Sequence, residues 1–477
     1  MIPISLMEAA FAIGAHLVGA RPLADGAPVV TGVSIDSRTA AAGDLFVAIK
    51  GENFDGHGFV ADALERGAVA AVVTRDVGIA DRVIMVDDTV TALGRLAHAV
   101  LGKSSCSVIA ITGSSGKTTT KDILAQLLGE IGPTVAAIGS NNNEIGVPMT
   151  VLSIDESTKH LVLEMGARGV GHIDYLCSIA RPDIAVVLNV GTAHVGEFGT
   201  REATARAKAE IVAATRPDGV VILNADDPLV AAMADRVTAH VMTFGDQGDV
   251  RARDVQLDAY GRALFVLEYH GARADVRLRV YGAHQVSNAL AAASVAFTLG
   301  ATVSDVAAGL SRAEPSSHWR MEVSTTPSGI TLINDAYNAN PESMAAALSA
   351  LSAMGKGRRT WAVLGEMREL GRTSGEAHER MGALAVEMGV SRLVVVGSGA
   401  RGILDGALRA GMGLEDSVYL PDVQGVSELL TSQARPGDVI LVKASRAVGL
   451  ERVAAHLHSS PTHGGSPPVE EHVGDPA

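Results

Sequence analysis

The segment that most constrains the fold of this chain is residues 107–120, with the sequence SVIAITGSSGKTTT. Its first half is an apolar, β-branched run, which predicts a buried strand that ends at Thr112. A turn bracketed by Gly113 and Gly116 follows, and a helical pattern begins at Lys117. This order predicts a phosphate-binding loop, because the N–H groups of such a turn and of the helix N-terminus face phosphate oxygens.

The predicted phosphate loop is a short variant, because Ile111 stands where the usual eight-residue pattern has its first glycine. In such a loop the lysine neutralises the phosphates, and the hydroxyl of the threonine that follows it can bind Mg²⁺. The flanking strand and helix favour this interpretation over a glycine-rich connection that carries a surface lysine. The loop residues predicted to bind a nucleotide are Gly113, Ser114, Ser115, Gly116, Lys117, Thr118 and Thr119.

Composition argues against several classes of protein. The 39 basic and 53 acidic residues give a formal charge of −14, and no basic tract is present that could follow a nucleic-acid backbone. Two cysteines, Cys106 and Cys177, are too few for a disulfide framework, which is typical of a reducing compartment. We find no secretory signal and no apolar run of membrane-spanning length. We therefore expect a cytoplasmic, monomeric protein that binds anionic small molecules, without nucleic acid or membrane insertion.

The chain is predicted to contain three α/β domains followed by a tail. Short apolar strands alternate with helical segments in the middle of the chain, which predicts a doubly wound parallel sheet buried on both faces. A period-two pattern between residues 249 and 280 predicts an antiparallel addition, followed by an alanine-rich helix at 286–299. The predicted divisions are 1–103, 104–315, 316–458 and a disordered tail at 459–477, which is rich in Pro, Gly, Ser and Glu.

Three polar residues of the middle domain could carry chemistry. Glu164 ends a predicted strand, where it could hold Mg²⁺ beside the phosphate loop or simply favour the dipole of a following helix. His194 follows the next strand and could be a metal ligand, a phosphate donor or a locally hydrogen-bonded histidine. Lys208 lies on a predicted helix, where its position alone suggests a solvated charge.

The predicted third domain and the N-terminal domain hold further polar segments. Residues 334–341 (NDAYNANP) carry more amide and carboxylate groups than one helix cap needs. Residues 443–446 (KASR) could bind a substrate carboxylate or cap a helix. Arg320 lies near the predicted junction of the second and third domains, where it could bind a γ-phosphate on closure. Residues 34–38 and 43–59 are rich in glycine and polar groups, as are loops that bind polar ligands.

Taken together, these segments resemble the Mur ligases, the ATP-dependent amide-forming enzymes of peptidoglycan synthesis. The resemblance covers about residues 30–455. Residues 335–341, 364–371 (LGEMRELG) and 443–446 resemble the branch that adds D-alanyl-D-alanine, and the Asp-Asn-Pro-Arg motif of the branch that adds the third amino acid is absent. The resemblance implies a three-domain α/β fold. An N-terminal domain would bind the UDP-N-acetylmuramoyl substrate, a central phosphate-loop domain ATP, and a C-terminal Rossmann-like domain the dipeptide.

The resemblance also implies roles for individual residues. The implied catalytic residues are Lys117, His194, Lys208 and Arg320, and Lys208 would carry a carbamate formed with CO₂. The implied Mg²⁺ ligands are Thr118, Glu164, His194 and Lys208. Further contacts to ATP would come from Asn143, Asn288, Arg320 and Asp335. Contacts to the other two substrates would come from Ser37, Arg38, Asn338, Asn340, Ser445 and Arg446. Gln285 stands where family members commonly have Asn.

The reaction implied by the resemblance joins D-alanyl-D-alanine to UDP-N-acetylmuramoyl-tripeptide through an acyl phosphate and converts ATP to ADP and phosphate. The alternatives are a related ligase that adds one amino acid, a P-loop switch or kinase, and a nucleotide-regulated binding protein. The sequence YNAN at 337–340 favours the dipeptide, and the lack of an Asn-Lys-x-Asp motif disfavours a GTPase. The combined phosphate, metal and closure residues disfavour a protein that only binds a nucleotide.

Overall fold

The computed structural model describes residues 1–15, 28–79, 82–191 and 199–459. These residues belong to two compact units. The first unit takes in both the N-terminal sheet and the central sheet, and the second contains the C-terminal sheet. The first comprises Met1–Gln256, Ala263–Val280 and His284–Ser317, and the second comprises Leu257–Arg262, Tyr281–Ala283 and the chain from His318 onwards.

The N-terminal part is built on a small parallel sheet. Its elements are β1 (Ile4–Ser5), α1 (Leu6–Ala12), β2 (Val29–Val30), β3 (Gly32–Ser34), β4 (Asp44–Val47), α2 (Val60–Glu65), β5 (Ala70–Val73), β6 (Val83–Met85) and α3 (Thr89–Leu101). Strands β3, β4, β5 and β6 lie side by side in that order and are parallel, and β1 pairs with β2 antiparallel. The loops after β3 and β4 therefore lie at one edge of this sheet.

The central sheet contains the predicted phosphate loop. Its elements are β7 (Ser107–Thr112), α4 (Lys117–Gly129), β8 (Thr134–Ala136), α5 (Gly146–Val151), β9 (His160–Glu164), α6 (His172–Ile179), β10 (Ile184–Val187), α7 (Arg201–Ala214), β11 (Val220–Asn224), α8 (Pro228–Ala231), β12 (His240–Phe244), β13 (Val250–Leu257), β14 (Arg262–Tyr269), β15 (Ala272–Tyr281), α9 (Gln285–Thr298) and α10 (Val303–Arg312). Among the described residues the strand order is β15-β14-β13-β12-β11-β10-β7-β9-β8, and the strands from β13 to β8 are parallel.

Both faces of the central sheet are buried, because alternate side chains of β7 enter different cores. Val108 and Ala110 belong to a cluster that contains the buried faces of α3 and α5. Ile109 and Ile111 belong to a second cluster with the buried residues of α4 and α9. A strand buried on both sides has no polar face, which explains why this segment is apolar throughout.

The strand order of the central sheet reverses at β7. From β7 the chain goes to the edge strand β8, returns to β9 beside β7, and then crosses to β10, β11 and β12 on the other side. In an open parallel sheet, the loops on the two sides of such a strand leave a crevice at the carboxyl edge, where ligands bind. The loop after β7 lies in that position, between the ends of β9 and β10.

The C-terminal sheet is also mostly parallel. Its elements are β16 (Glu322–Thr325), β17 (Thr331–Asn334), α11 (Pro341–Met354), β18 (Thr360–Gly365), α12 (Ser374–Glu387), β19 (Arg392–Val396), α13 (Arg401–Arg409), β20 (Ser417–Leu420), α14 (Val423–Gln433), β21 (Val439–Lys443) and α15 (Glu451–Ser459). In the described part of the chain the order is β16-β17-β21-β18-β19-β20, with only β16 antiparallel to its neighbour. The loops after β17, β18 and β21 therefore lie at one edge.

The predicted fold class is confirmed. The strand and helix around the phosphate loop form as expected, and α9 lies within one residue of its predicted bounds. Strands β13, β14 and β15 are neighbours joined by loops of four and two residues, which connect antiparallel strands. Helix α15 extends to Ser459, the first residue of the predicted tail, and residues 460–477 lie outside the described residues. Across the described ranges, no helix has the length and apolar character to cross a bilayer.

Candidate active site

Both ends of the phosphate loop, Gly113 and Gly116, are held by close contacts. Gly116, the residue before α4, has a φ of +82°, and a β-carbon there would lie 2.3 Å from Oδ1 of Asn288 on α9. Only glycine satisfies both conditions. The ammonium of Lys117 donates a hydrogen bond to the carbonyl of Gly113 over 2.7 Å. The lysine side chain therefore folds back over the loop whose bound phosphates it is predicted to neutralise.

Asn189, which follows β10, binds the other side of the loop. Its Oδ1 accepts hydrogen bonds from the backbone N–H groups of Ser114 and Ser115, each over 3.0 Å. In return, the Ser114 hydroxyl accepts a hydrogen bond from the N–H of Gly191 over 2.9 Å. Sequence reasoning did not assign Asn189 a role. The available signal in the sequence was that Asn189 follows a predicted strand of the same sheet.

The chain on either side of Asn189 is held by side chains from a neighbouring turn and helix. Asn224 donates to the carbonyl of Leu188 over 2.8 Å, and Asp227 accepts from the N–H of Val190 over 2.7 Å. Arg201 donates to the carbonyl of Val190 over 2.7 Å. The residue types at 224–228 would by themselves explain a turn after β11. The turn also fixes the segment that supports the phosphate loop.

A buried carboxylate lies beside the start of α4. Glu164, at the end of β9, accepts hydrogen bonds from the Thr118 hydroxyl over 2.8 Å and from the Asn142 amide over 2.7 Å. Ser140 donates to the same carboxylate over 3.3 Å. Glu164 and Thr118 are each 1% exposed. The structure therefore brings together two of the four residues that were predicted as Mg²⁺ ligands.

Lys208 is buried rather than solvated. It lies on α7 with 2% of its surface exposed. Burial, and secondarily the charge of Lys117, lower the pKa of Lys208 well below its usual value of 10.5. The position-based interpretation of this lysine as a surface charge is wrong, because helix α7 turns it inward. His194, the fourth predicted ligand, lies outside the described residues.

The two asparagines predicted near the nucleotide have internal partners. Oδ1 of Asn143 accepts from the N–H of Gly146 over 2.8 Å, at the start of α5. The amide of Asn288 donates to Oε1 of Gln285 over 2.7 Å. Gln285 therefore orients Asn288 against Gly116. Thr119 is the third residue of α4, directly after Thr118.

In the second unit, Asp335 forms a buried ion pair. Its Oδ2 lies 2.6 Å from the ammonium of Lys443, which also donates to the carbonyl of Asn338 over 2.8 Å. Its Oδ1 accepts from the N–H of Met321 over 3.0 Å. Lys443 is 1% exposed. Lys443, interpreted from sequence as part of a basic cluster, instead ties the loop after β17 to the end of β21.

Three further predicted residues of this unit, Asn338, Asn340 and Ser445, differ in their surroundings. Asn340 accepts from the N–H of Ser343 over 2.8 Å and caps α11, as the simpler of the two interpretations expected. Asn338 is exposed. The hydroxyl of Ser445 accepts from the N–H of Arg368 over 3.0 Å, which joins the loops after β18 and β21.

Two arginines of this unit stack on aromatic rings. The Arg320 guanidinium lies 4.1 Å from the centroid of the Tyr337 ring, and that of Arg446 lies 3.8 Å from the centroid of the Trp319 ring. Such stacking fixes the plane of a guanidinium, and Nη1 of Arg446 also lies 3.3 Å from Oε1 of Glu451. Trp319 has a φ of +59°, an uncommon value for a bulky residue.

At the N-terminal sheet, Ser37 and Arg38 lie in the loop after β3. Ser37 is buried, and the Arg38 side chain is 85% exposed. Arg38 donates to both carboxylate oxygens of Asp36, over 2.9 and 2.6 Å, and these bonds lower the pKa of Asp36 to about 2. Asp36 therefore holds the exposed Arg38 guanidinium in place at this loop. Sequence reasoning did not single out His57, which is buried and accepts from the N–H of Thr74 over 2.9 Å.

Comparison with known protein families gives matches along most of the chain. Residues 29–100 match the model described as Mur ligase family, catalytic domain. Residues 111–296 match the Mur ligase middle domain, and residues 319–446 match the Mur ligase, glutamate ligase domain.

Individual relatives extend nearly end to end. The chain is 44% identical to UDP-N-acetylmuramoyl-tripeptide–D-alanyl-D-alanine ligase of Mycobacterium tuberculosis, across 97% of this chain and 99% of that protein. A crystal structure of MurF from Acinetobacter baumannii superposes with a TM-score of 0.84 at 32% identity, across 96% of this chain and 99% of that one. MurF ligase from Thermotoga maritima in complex with ADP superposes with a TM-score of 0.78 at 33% identity, across 90% and 97%.

Proposed function

The chain belongs to the Mur ligase family, and we propose that it joins D-alanyl-D-alanine to UDP-N-acetylmuramoyl-tripeptide while ATP is converted to ADP and phosphate. The observation that carries this proposal is the 44% identity to a ligase of that name across 97% of the chain. The buried phosphate loop beside Glu164 supports it on chemical grounds. The product would be a precursor of peptidoglycan.

The chemistry requires an activated carboxylate. A carboxylate resists attack by an amine, because its negative charge repels nucleophiles and oxide is a poor leaving group. Transfer of the γ-phosphoryl group of ATP to the carboxylate of the tripeptide gives an acyl phosphate and ADP. The deprotonated amine of the dipeptide then attacks the acyl carbon, the amide bond forms, and phosphate leaves. The first transfer brings two anions together and therefore needs concentrated positive charge.

Lys117 and the start of α4 would supply part of that charge. The side chain of Lys117 bends over the loop, and the first turn of α4 directs N–H groups toward the same place. Asn189 and Asn288 hold the loop from its two sides, through Ser114, Ser115 and Gly116. These contacts would hold the loop in shape before a nucleotide binds.

The residues at the start of α4 fit a magnesium ion. Glu164 is a buried carboxylate, and a buried charge normally has a charged partner. Among the described residues its hydrogen-bond partners are the neutral side chains of Thr118, Ser140 and Asn142. Oxygen donors of this kind suit Mg²⁺, and Thr118 and Glu164 would hold it. When bound, Mg²⁺ would neutralise phosphate charge. The described residues contain no group of three or more His, Cys, Asp or Glu that could hold a metal.

Lys208 suits the carbamate that the family resemblance implies. An amine adds to CO₂ only when it is neutral, and the burial that lowers the pKa of Lys208 favours the neutral amine. The balanced step forms one C–N bond from the amine and CO₂ and releases one proton. The resulting carboxylate would add a negative charge close to Lys117, whose charge contributes to the lowered pKa of Lys208. His194 is proposed with it as a ligand of a second Mg²⁺, on family resemblance alone.

We assign the remaining contacts in the same way. The loop after β3 would bind the uridine nucleotide, and the loops after β17 and β21 would bind the dipeptide. The residues so assigned are Ser37 and Arg38 for the uridine substrate, Asn143, Asn288, Arg320 and Asp335 for ATP, and Asn338, Asn340, Ser445 and Arg446 for the dipeptide. Asn340 and Asp335 would act partly through the backbone that they fix, because both have internal partners. The three-domain division at 103 and 315 belongs to this proposal.

The cellular setting is proposed from composition. Cys106 and Cys177 are both free and buried, which suits a reducing cytoplasm. The formal charge of −14 disfavours nucleic acid as a partner. We propose a cytoplasmic monomer whose partners are its three small-molecule substrates.

The test is an amine competition. Purified protein is given Mg²⁺, ATP and UDP-N-acetylmuramoyl-tripeptide, with D-alanyl-D-alanine, D-alanine, diaminopimelate or no amine. We expect phosphate release and a pentapeptide product by mass only with the dipeptide. A product with a single amino acid would replace the proposed step with another of the family, and no stimulation by any amine would refute a ligase.

A further inference from the structure

Another buried lysine lies one helical turn after Lys117. Lys121 is on α4 with 2% of its surface exposed. Its ammonium donates to the carbonyls of Ala137 and Gly139, over 2.6 and 3.0 Å, and lies 2.7 Å from Oδ1 of Asp122. An ammonium has three donors, and all three have an oxygen partner here. All three donors of the Lys121 ammonium are therefore satisfied inside the protein.

The two carbonyls belong to the loop after β8, residues 137–143. Ala137 is buried, whereas Ile138, which lies between the two carbonyls, is 86% exposed and contributes little packing. The loop then supplies Ser140 and Asn142, whose side chains donate to Oε1 of Glu164 over 3.3 and 2.7 Å. Asn142 also accepts from the N–H of Gly166 through its carbonyl, over 2.9 Å. The position of both donors thus depends on where the loop is fixed.

We propose that Lys121 is a positioning residue for the magnesium site: it fixes the 137–143 loop so that Ser140 and Asn142 hold the Glu164 carboxylate against Thr118. Helix α4 then carries Lys117 and Thr118 at the phosphate loop. One turn later it carries Lys121, which fixes the 137–143 loop. This inference rests on the proposed metal site. Groups that orient a metal ligand commonly affect metal affinity about 10- to 100-fold when removed.

The experiment compares Lys121→Met, which keeps length but loses all three donors, with Lys159→Met, an exposed lysine beside the turn before β8, at the opposite end of that strand from the loop. Hydrogen exchange is measured on protein without metal or nucleotide. We expect amide exchange across residues 137–143 to rise about tenfold in Lys121→Met and to stay unchanged in Lys159→Met. Unchanged exchange in Lys121→Met would overturn the proposal.

A second readout separates positioning from structural support. Calorimetry of ADP binding is repeated over a range of Mg²⁺ concentrations. The Mg²⁺ concentration for half-maximal enhancement should rise about tenfold in Lys121→Met, and ADP affinity without Mg²⁺ should not change. Raised exchange with an unchanged Mg²⁺ requirement would reduce Lys121 to a structural residue and overturn the proposal.

If Lys121→Met does not fold, Lys121→Arg and Asn142→Ala carry the same test. Arginine keeps the charge but presents its donors in a planar fork, so we expect intermediate values in both measurements. Asn142→Ala should raise the Mg²⁺ requirement about tenfold while Lys121 still fixes the loop. Values equal to the unmodified protein in both variants would overturn the proposal. Both readouts are independent of amide formation, so failure of the proposed ligase step would leave them decisive.

Discussion

The hydroxyl of Thr118 donates a hydrogen bond to Oε2 of Glu164 over 2.8 Å, and each residue is 1% exposed. Thr118 is the second residue of α4 and Glu164 the last residue of β9. The bond therefore joins the helix that ends the phosphate loop to the strand beside it. It places a carboxylate next to the proposed phosphate site. A buried carboxylate and a phosphate would repel each other there, and a bound cation would offset that repulsion.

Glu164→Gln should lower turnover by at least about 100-fold, because the amide keeps the size and shape of the carboxylate but cannot balance a cation. The protein should fold normally. ADP formation over a range of Mg²⁺ concentrations measures the effect, and Glu130→Gln, on the exposed end of α4, is the matched control. Full activity of Glu164→Gln at ordinary Mg²⁺ would remove Glu164 from the metal site.

Asn189→Ala should weaken ADP binding about tenfold, because the N–H groups of Ser114 and Ser115 lose their shared acceptor and the loop loosens. The KM for the uridine substrate should stay the same. Calorimetry with ADP measures the change, with Asn53→Ala, an exposed asparagine, as the control. Equal affinity in the two variants would show that Asn189 does not support the loop.

Lys208→Ala should lose activity and regain part of it with short carboxylic acids, which would replace the carbamate. Lys208→Arg should stay inactive, because a guanidinium is always charged and cannot add to CO₂. A Lys208→Ala variant that is fully active without added acid would refute the carbamate.

The same lysine makes a prediction about stability. The pKa of Lys208 is lowered in the folded protein and ordinary in the unfolded chain, so unfolding takes up a proton below pH 10.5. This cost to stability grows as the pH falls below 10.5. In CO₂-free, metal-free buffer at pH 7, Lys208→Met should therefore unfold at a higher urea concentration than the unmodified protein. A lower midpoint would contradict the lowered pKa.

Asp438→Asn should destabilise the second unit by about 2 kcal/mol at pH 7. Burial raises the pKa of Asp438, but bonds from Arg359, the Arg435 N–H and the Trp361 indole outweigh it and lower the pKa below 3.8. The stabilisation is complete above that pH and is lost as the pH falls below it. Urea midpoints of the variant and the unmodified protein should therefore converge in acid. Asp405→Asn, exposed on α13, is the control.

The sequence predicted the phosphate loop and the order of elements well, because both depend on local patterns. The buried run of β7 and the glycines around the turn are readable without knowing what lies opposite. Even the alanine-rich helix α9 appears within one residue of its predicted bounds.

The buried lysines could not be predicted in the same way. Lys121, Lys208 and Lys443 are each at most 2% exposed, yet lysine on a helix or at a strand end is usually solvated. Their burial depends on carbonyls and carboxylates that are distant in sequence, such as Asp335, which is paired with Lys443. The role of Asn189 likewise depends on two strands that become neighbours only in the folded sheet.

The central claim, that the carboxylate is activated by phosphoryl transfer, is tested most directly by isotope transfer. UDP-N-acetylmuramoyl-tripeptide carrying ¹⁸O in the reacting carboxylate is incubated with ATP, Mg²⁺ and D-alanyl-D-alanine, and the released phosphate is examined by mass. The account predicts one ¹⁸O transferred to phosphate for each amide bond formed from a fully labelled carboxylate, and no such phosphate with Lys117→Met. Unlabelled phosphate accompanying amide formation would contradict the account.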